Sequence, residues 1–453
     1  MRVVNGQRSA VGKTILLTFI CLSFVTSGFA QTNKPSIAEQ ANLVTEFDVS
    51  GLKVLVKRRP NSPTVAAGLF IRGGARNITD KSAGIENLML NAATEGSKKF
   101  PRETLRRELA RTGSSVGAGV NNDYSALSLA TTRQNFDLSW EIFTDIALNP
   151  AFAAEDIQRA RDQISTGLRE QETSSDNFLQ VLQDRIIYVN HPYANEVSGT
   201  LETISRFTAK DLIDFHQKLM QTSRLLLVVV GDIDPKDVQA RVAATLGKLP
   251  RGDYKESPFP PLDFSKATLD ITSRTLPTNY IQGVFNAPSP ASPDYYAMRV
   301  AIAVLQSRIY QEVRIKRQLS YAPNAVLDSS ASNTANIYVT AVDANQAVSV
   351  MLNEVNNLKT KQINEETIDG ISGHFLTLYY IDQQTNAAQA GELAKYEFVG
   401  GGWRNAFGFL DKIREVKPSE VQAVAQKYMK NIRFVVIGNQ SAINKEIFLQ
   451  NKQ

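Results

Sequence analysis

Only three histidines occur in the 453-residue chain, His191, His216 and His374, and its one cysteine is Cys21. A hydrolytic zinc site takes three protein ligands, usually with two histidines close together on one helix, so the chain offers no recognisable zinc site of its own. His216 and His374 fall in helical patterns, where a hydrogen-bonded structural histidine is expected, and His191 precedes a proline and belongs to a turn. No G-x-S-x-G stands at the strand-to-helix turn that a nucleophile elbow needs, and there is no Walker loop and no dinucleotide fingerprint between a strand and a helix. The cluster "VGGGW" at 399–403 lacks the Lys-Ser/Thr of a phosphate loop and reads as a flexible loop. Glu170 and Glu172 fall on a charged helix and read as solvated. One oddity remains: "SAGIENLMLNAATEGS" (82–97) is a short helical pattern with a glycine stop, on which Asn87 and Asn91 stand one turn apart.

The elements that must carry these residues alternate between the two periods. "FDVSGLKVLVKRR" and "TVAAGLFIRGGAR" read as strands joined by a Pro-Asn-Ser turn, followed by helical patterns at 83–95 and 101–112 and strand-like "SSVGAGVNNDYSALSLATT". Helical stretches at 134–147, 154–172, 176–187 and 209–220 lead into "RLLLVVVGDID", an unbroken apolar run of the kind found at a sheet centre. In the first helix, Ile85, Leu88, Met89 and Ala92 form a core stripe, and Asn87 and Asn91 project from the opposite side.

The second half repeats the first. "TAKDLIDFHQKLMQTSRLLLVVVGDID" (208–234) is echoed by "KPSEVQAVAQKYMKNIRFVVIGNQSAI" (417–443), with Lys218 and Met220 matched by Lys427 and Met429. A period this long fits two related α+β domains in tandem, spanning 44–248 and 268–453, with the Pro-rich stretch 249–267 as linker.

The ends read differently. Arg2, Arg8 and Lys13 precede the apolar run "TILLTFICLSFV", and Gly28 and Ala30 offer small residues before Gln31, so 1–30 reads as a signal peptide cleaved near Ala30, followed by a polar leader at 31–43. The apolar run is too short for a stable membrane anchor. Removing three of the 50 basic residues leaves 47 against 45 acids and no cysteine, which suits an exported chain that folds on a packed core without disulfides. No basic stripe with interleaved aromatics suggests nucleic acid.

Four stretches in order, "GLKVLVKRRPNSPTVAAGLFIRGGAR", "SAGIENLMLNAATEGSKKFP", "HPYANEVSGTLETISRFTAKDLIDFHQKLM" with "LLLVVVGDID", and "RIYQEVRIKRQLSYAPNAV", carry a resemblance to the pitrilysin-insulinase family of inverted-motif zinc peptidases. Within it the chain is similar to exported bacterial members of the processing-peptidase type, and the likeness covers nearly the whole mature chain. It implies an α+β fold of two homologous domains, each a mostly antiparallel sheet packed with helices. Active members hold zinc with H-x-x-E-H and a distal glutamate; here those positions fall on Asn87, Leu90, Asn91 and Gly167, so all four are lost.

The resemblance also implies a site in the second domain, where the family places an arginine and a tyrosine seven residues apart. "RIKRQLSY" supplies Arg314 and Tyr321, able to hold a substrate carbonyl in the active site of another chain. Gly117, Ala118, Gly119 and Val120 mark the candidate edge strand for an extended peptide, although active members favour Asn-Ala-x-Thr there. The expectation is a metal-free subunit of an exported, periplasmic heterodimeric zinc endopeptidase. No cofactor is bound by this chain, and zinc sits in a homologous partner. The rival expectation is a non-enzymatic structural or peptide-binding protein.

Overall fold

The structure is a computed structural model that describes residues 37–450. The expected signal peptide and the first part of the polar leader lie outside the described residues. The first half runs β1 (Val44–Val49), β2 (Leu52–Arg58), β3 (Thr64–Arg72), α1 (Ile85–Ala93), α2 (Arg102–Thr112), β4 (Ser115–Val120), β5 (Tyr124–Thr132), α3 (Phe136–Leu148), α4 (Ala154–Thr173), α5 (Ser175–Ile187), α6 (Leu201–Arg206), α7 (Ala209–Leu219), β6 (Leu225–Gly231) and α8 (Pro235–Ala244). Residues 249–267 carry no helix or strand. The second half follows with β7 (Thr268–Ser273), β8 (Asn279–Asn286), α9 (Tyr295–Ile309), β9 (Asn324–Leu327), β10 (Thr334–Ala341), α10 (Ala344–Thr360), α11 (Glu365–Asp382), α12 (Asn386–Val399), α13 (Asn405–Arg414), α14 (Pro418–Tyr428), β11 (Arg433–Gly438) and α15 (Lys445–Leu449).

The repeat read from the sequence is a repeat of topology. The first sheet is ordered β1-β2-β6-β3-β5-β4 and the second β7-β11-β8-β10-β9. Removing β1 makes the two orders identical, each with one parallel pair, β2 with β6 and β7 with β11, and antiparallel pairing elsewhere. The fold is α+β with two homologous halves. The run Leu225–Gly231 lies inside its sheet with every residue buried, because both faces are covered.

Those two faces are covered by different halves. Leu225, Leu227 and Val229 of β6 join Leu52, Val54 and Val56 of β2 against the first half's own helices. The alternate residues Leu226, Val228 and Val230, with Leu55 and Phe70, meet Ala390, Leu393 and Ala394 of α12 and Trp403 beyond it. The exchange is reciprocal: Leu179 of α5, fully buried, packs on Val435 and Ile437 of β11 in the second sheet. Lys53 of β2 and Glu397 of α12 add an ion pair at 2.7 Å. The halves therefore interlock, and residues 37–450 fall in one body rather than two separate lobes.

One detail adds to the sequence reading and one departs from it. Residues 38–43 of the polar leader form a 3₁₀ turn that packs on the first sheet through Ala41. "VGGGW" is a bonded turn: Gly400 and Gly402 both donate their N–H to Tyr396 O, with Gly401 and Gly402 at φ of 74° and 116°. Only glycine enters that region cheaply, and the turn delivers Trp403, 2% exposed, to a hydrogen bond from Nε1 to Glu46 Oε2 at 2.8 Å.

Candidate functional site

Helix α1 starts at Gly84, whose φ of 79° opens the turn; a Cβ there would lie 2.4 Å from Gly199 Cα, so the two backbones touch. This contact fixes α1 beside the 198–200 loop. Ile85, Leu88, Met89 and Ala92 enter the core as their spacing predicts. The opposite side is also closed, because Leu90 is fully buried and Asn87 and Asn91 are half-buried. Asn91 Nδ2 donates to Asn87 Oδ1 and to Asn87 O, each at 2.9 Å, and Asn87 Nδ2 donates to Ser198 O at 3.2 Å. Gly167 lies on α4, exposed, with nothing near the place of a side chain.

These residues do not fit zinc. The two amides satisfy each other, the position of the general base is a core leucine, and the distal ligand has no side chain. Among the described residues, no group of three His, Cys, Asp or Glu side chains is placed to hold a metal.

Sequence reasoning passed over Glu86. Its side chain is 3% exposed, accepts hydrogen bonds from Asn77 Nδ2 at 3.0 Å and from Ser125 Oγ, and faces the field of Arg224 and Lys218. Burial outweighs those partners and pushes the carboxyl up to about 7. The available signal was that Glu86 is the only ionisable residue between Gly84 and Thr94.

The second half brings Arg314 and Tyr321 together. Helix α9 widens into a π-helical turn over Tyr310–Lys316, a distortion frequent at functional sites. Val313, fully buried, anchors that turn and its carbonyl accepts the Leu319 N–H at 2.9 Å, while Gln318 at φ 53° reverses the chain. The Arg314 guanidinium thereby rests 4.0 Å from the Tyr321 ring centroid and 5.1 Å from that of Tyr310. Glu312 pairs with Lys316 and Arg317, leaving Arg314 without a carboxylate partner among the described residues. No hydrogen bond or ion pair among the described residues links Arg314 or Tyr321 to α1.

Strand β4, with Gly117, Ala118, Gly119 and Val120, is the outer strand of the first sheet and packs beside α1. A Cβ at Gly119 would meet nothing within 4 Å. The histidines divide: buried His216 hydrogen-bonds Ala147 O through Nε2 at 2.9 Å, and His191 bonds Ser332 Oγ at 2.8 Å and stacks on Phe259. His374 departs from expectation, since it is exposed, with a ring contact to Phe375 and no hydrogen bond among the described residues.

A tandem α+β repeat whose first half keeps the inverted-motif helix, with Asn87, Leu90, Asn91 and Gly167 at the ligand and base positions, defines a peptidase-like protein. The family comparison gives this class its place. The profile "Insulinase (Peptidase family M16)" matches residues 53–201 and "Peptidase M16 inactive domain" matches residues 206–372. The chain belongs to the M16 peptidase family. It is similar to the mitochondrial-processing peptidase subunit beta of Saccharomyces cerevisiae, 20% identical over 435 residues, covering 89% of this chain and 92% of that protein. It is also similar to the human cytochrome b-c1 complex subunit 1, 24% identical over 277 residues, 60% of this chain and 57% of that one. A solved peptidase M16 inactive domain from Pseudomonas fluorescens shares the fold, with TM-score 0.81 and 18% identity, covering 88% of this chain and 98% of that one.

Proposed function

We propose that this chain is the metal-free subunit of an exported, heterodimeric zinc endopeptidase. It binds an extended peptide and lends Arg314 and Tyr321 to the active site of a zinc-bearing homologue. The observation that carries this reading is the contrast between the two halves: Asn87 and Asn91 are bonded to each other, whereas Arg314 stacks on an exposed Tyr321 with no carboxylate partner among the described residues. The zinc and the water it activates belong to the partner. The guanidinium and phenol of this chain donate hydrogen bonds to the scissile carbonyl as its oxygen gains charge. Stacking holds both donors in one orientation, which lowers the reorganisation needed during reaction.

The free edge of β4 supports peptide binding by strand addition, with the small side chains of Gly117–Val120 leaving the backbone open. Export to the periplasm rests on the apolar segment at 1–30. The likeness to a respiratory-complex subunit favours a second reading, a structural or peptide-binding protein without any share in catalysis. Mixing the purified chain with a zinc-bearing homologue and assaying peptide cleavage separates the two. Proteolysis that requires both chains supports the first reading, and a stable complex with no gain in cleavage supports the second.

A further inference from the structure

A second candidate site lies where the linker folds back on the first half. A cavity of about 380 Å³ is lined by Arg76, Lys218, Arg224 and Lys255, with Tyr254 and Asn77 between them and no Asp or Glu in its wall. Two aromatic rings hold the arginines flat: the Arg76 guanidinium sits 3.4 Å from the Phe259 centroid and that of Arg224 sits 3.8 Å from the Tyr254 centroid. A guanidinium stacked by its face offers its N–H groups only at its edge.

Those edges are incompletely used. Arg224, 9% exposed, donates through Nη1 to Asn77 Oδ1, and Arg76 pairs with Glu256. The Nε atoms of both arginines and the Tyr254 Oη are buried without any hydrogen-bond partner. Those three atoms lie behind the cavity surface, so an occupant would meet the remaining guanidinium N–H edges and the two ammonium groups. Glu256 pairs with Arg76 and Arg72, and Glu86 accepts from Ser125 and Asn77, so Lys218, Arg224 and Lys255 are the cavity's cations without an ion-pair partner among the described residues. An apolar ligand would leave that positive charge unanswered, whereas a carboxylate or phosphate answers it.

We propose that this cavity is an oxyanion-binding site, with Arg76 and Arg224 as the fixed donors and Lys218 and Lys255 adding charge from the exposed side. Tyr254 and Lys255 come from the linker, so an occupant would tie the linker to the first half. The inference stands independently of any role in proteolysis.

Isothermal titration of the full chain at fixed ionic strength tests it, with inorganic phosphate as one probe and a glutamate-rich peptide as the other. Saturable binding of at least one probe is expected, weakened roughly tenfold or more in the Lys218→Glu/Lys255→Glu variant. The Lys218→Arg/Lys255→Arg variant should retain binding. Both lysines are exposed, so the variants keep the fold, checked by their urea midpoints. Binding of phosphate alone identifies a phosphate group, and binding of the peptide alone a carboxylate. No saturable binding of either probe at millimolar concentration, or equal affinity in the charge-reversed variant, overturns the proposal.

Discussion

The Arg314 guanidinium lies 4.0 Å from the centroid of the Tyr321 ring, and Tyr321 is 79% exposed. A tyrosine so exposed contributes little to the core, yet the chain uses a π-helical turn and a left-handed residue at Gln318 to bring the pair together. Arg314→Ala and Tyr321→Phe should each leave the urea midpoint nearly unchanged, within about 0.5 kcal/mol of stability. A larger loss would mark the pair as structural.

The reciprocal helix exchange predicts a long-range stability effect. Leu179 of α5 is fully buried against Val435 and Ile437 of the second sheet, so Leu179→Ala should cost about 2–5 kcal/mol in urea unfolding. Because the halves interlock, both should melt together in that variant, and two separated transitions would contradict the interlock.

Much of this architecture was legible in the sequence. The run Leu225–Gly231 named a sheet centre because both its faces are apolar, and the match of Lys218 and Met220 with Lys427 and Met429 announced the repeat. The exchange was not legible: the apolar face of α5 or α12 tells that it is buried, not which sheet receives it. The Arg314 and Tyr321 spacing was visible only through family resemblance, since seven residues place no two side chains together until the π-turn and Gln318 fold the segment back. Arg76, Lys218, Arg224 and Lys255 lie too far apart along the chain for any pattern to gather them.

Glu86 makes stability depend on pH. Its carboxyl titrates near 7 when folded and near 4.5 when unfolded, so between those values the native chain holds the extra proton. Stability therefore falls as pH rises from 4.5 through 7, and the full cost is present above 7. Glu86→Gln removes that dependence: relative to the parent, its stability should gain on the order of 3 kcal/mol between about pH 4 and pH 8. Parallel urea curves for the two proteins at both pH values would contradict the assignment.

The self-bonded amides predict indifference to metal. Neither zinc nor a chelator should move the melting temperature, because Asn87, Asn91 and Gly167 offer no ligand set. Leu90→Glu, which restores a carboxylate at the general-base position, places it in the closed core and should destabilise the chain by several kcal/mol. A variant as stable as the parent would show that this face of α1 opens.

The central claim is that Arg314 and Tyr321 act in the active site of another chain. The direct measurement is the peptide-cleavage rate of a purified complex between this chain and a zinc-bearing homologue, with Arg314→Ala introduced only here. A fall in kcat of roughly a hundredfold is predicted, with the complex still formed and the partner's zinc retained. An unchanged rate in an intact, zinc-loaded complex would contradict it.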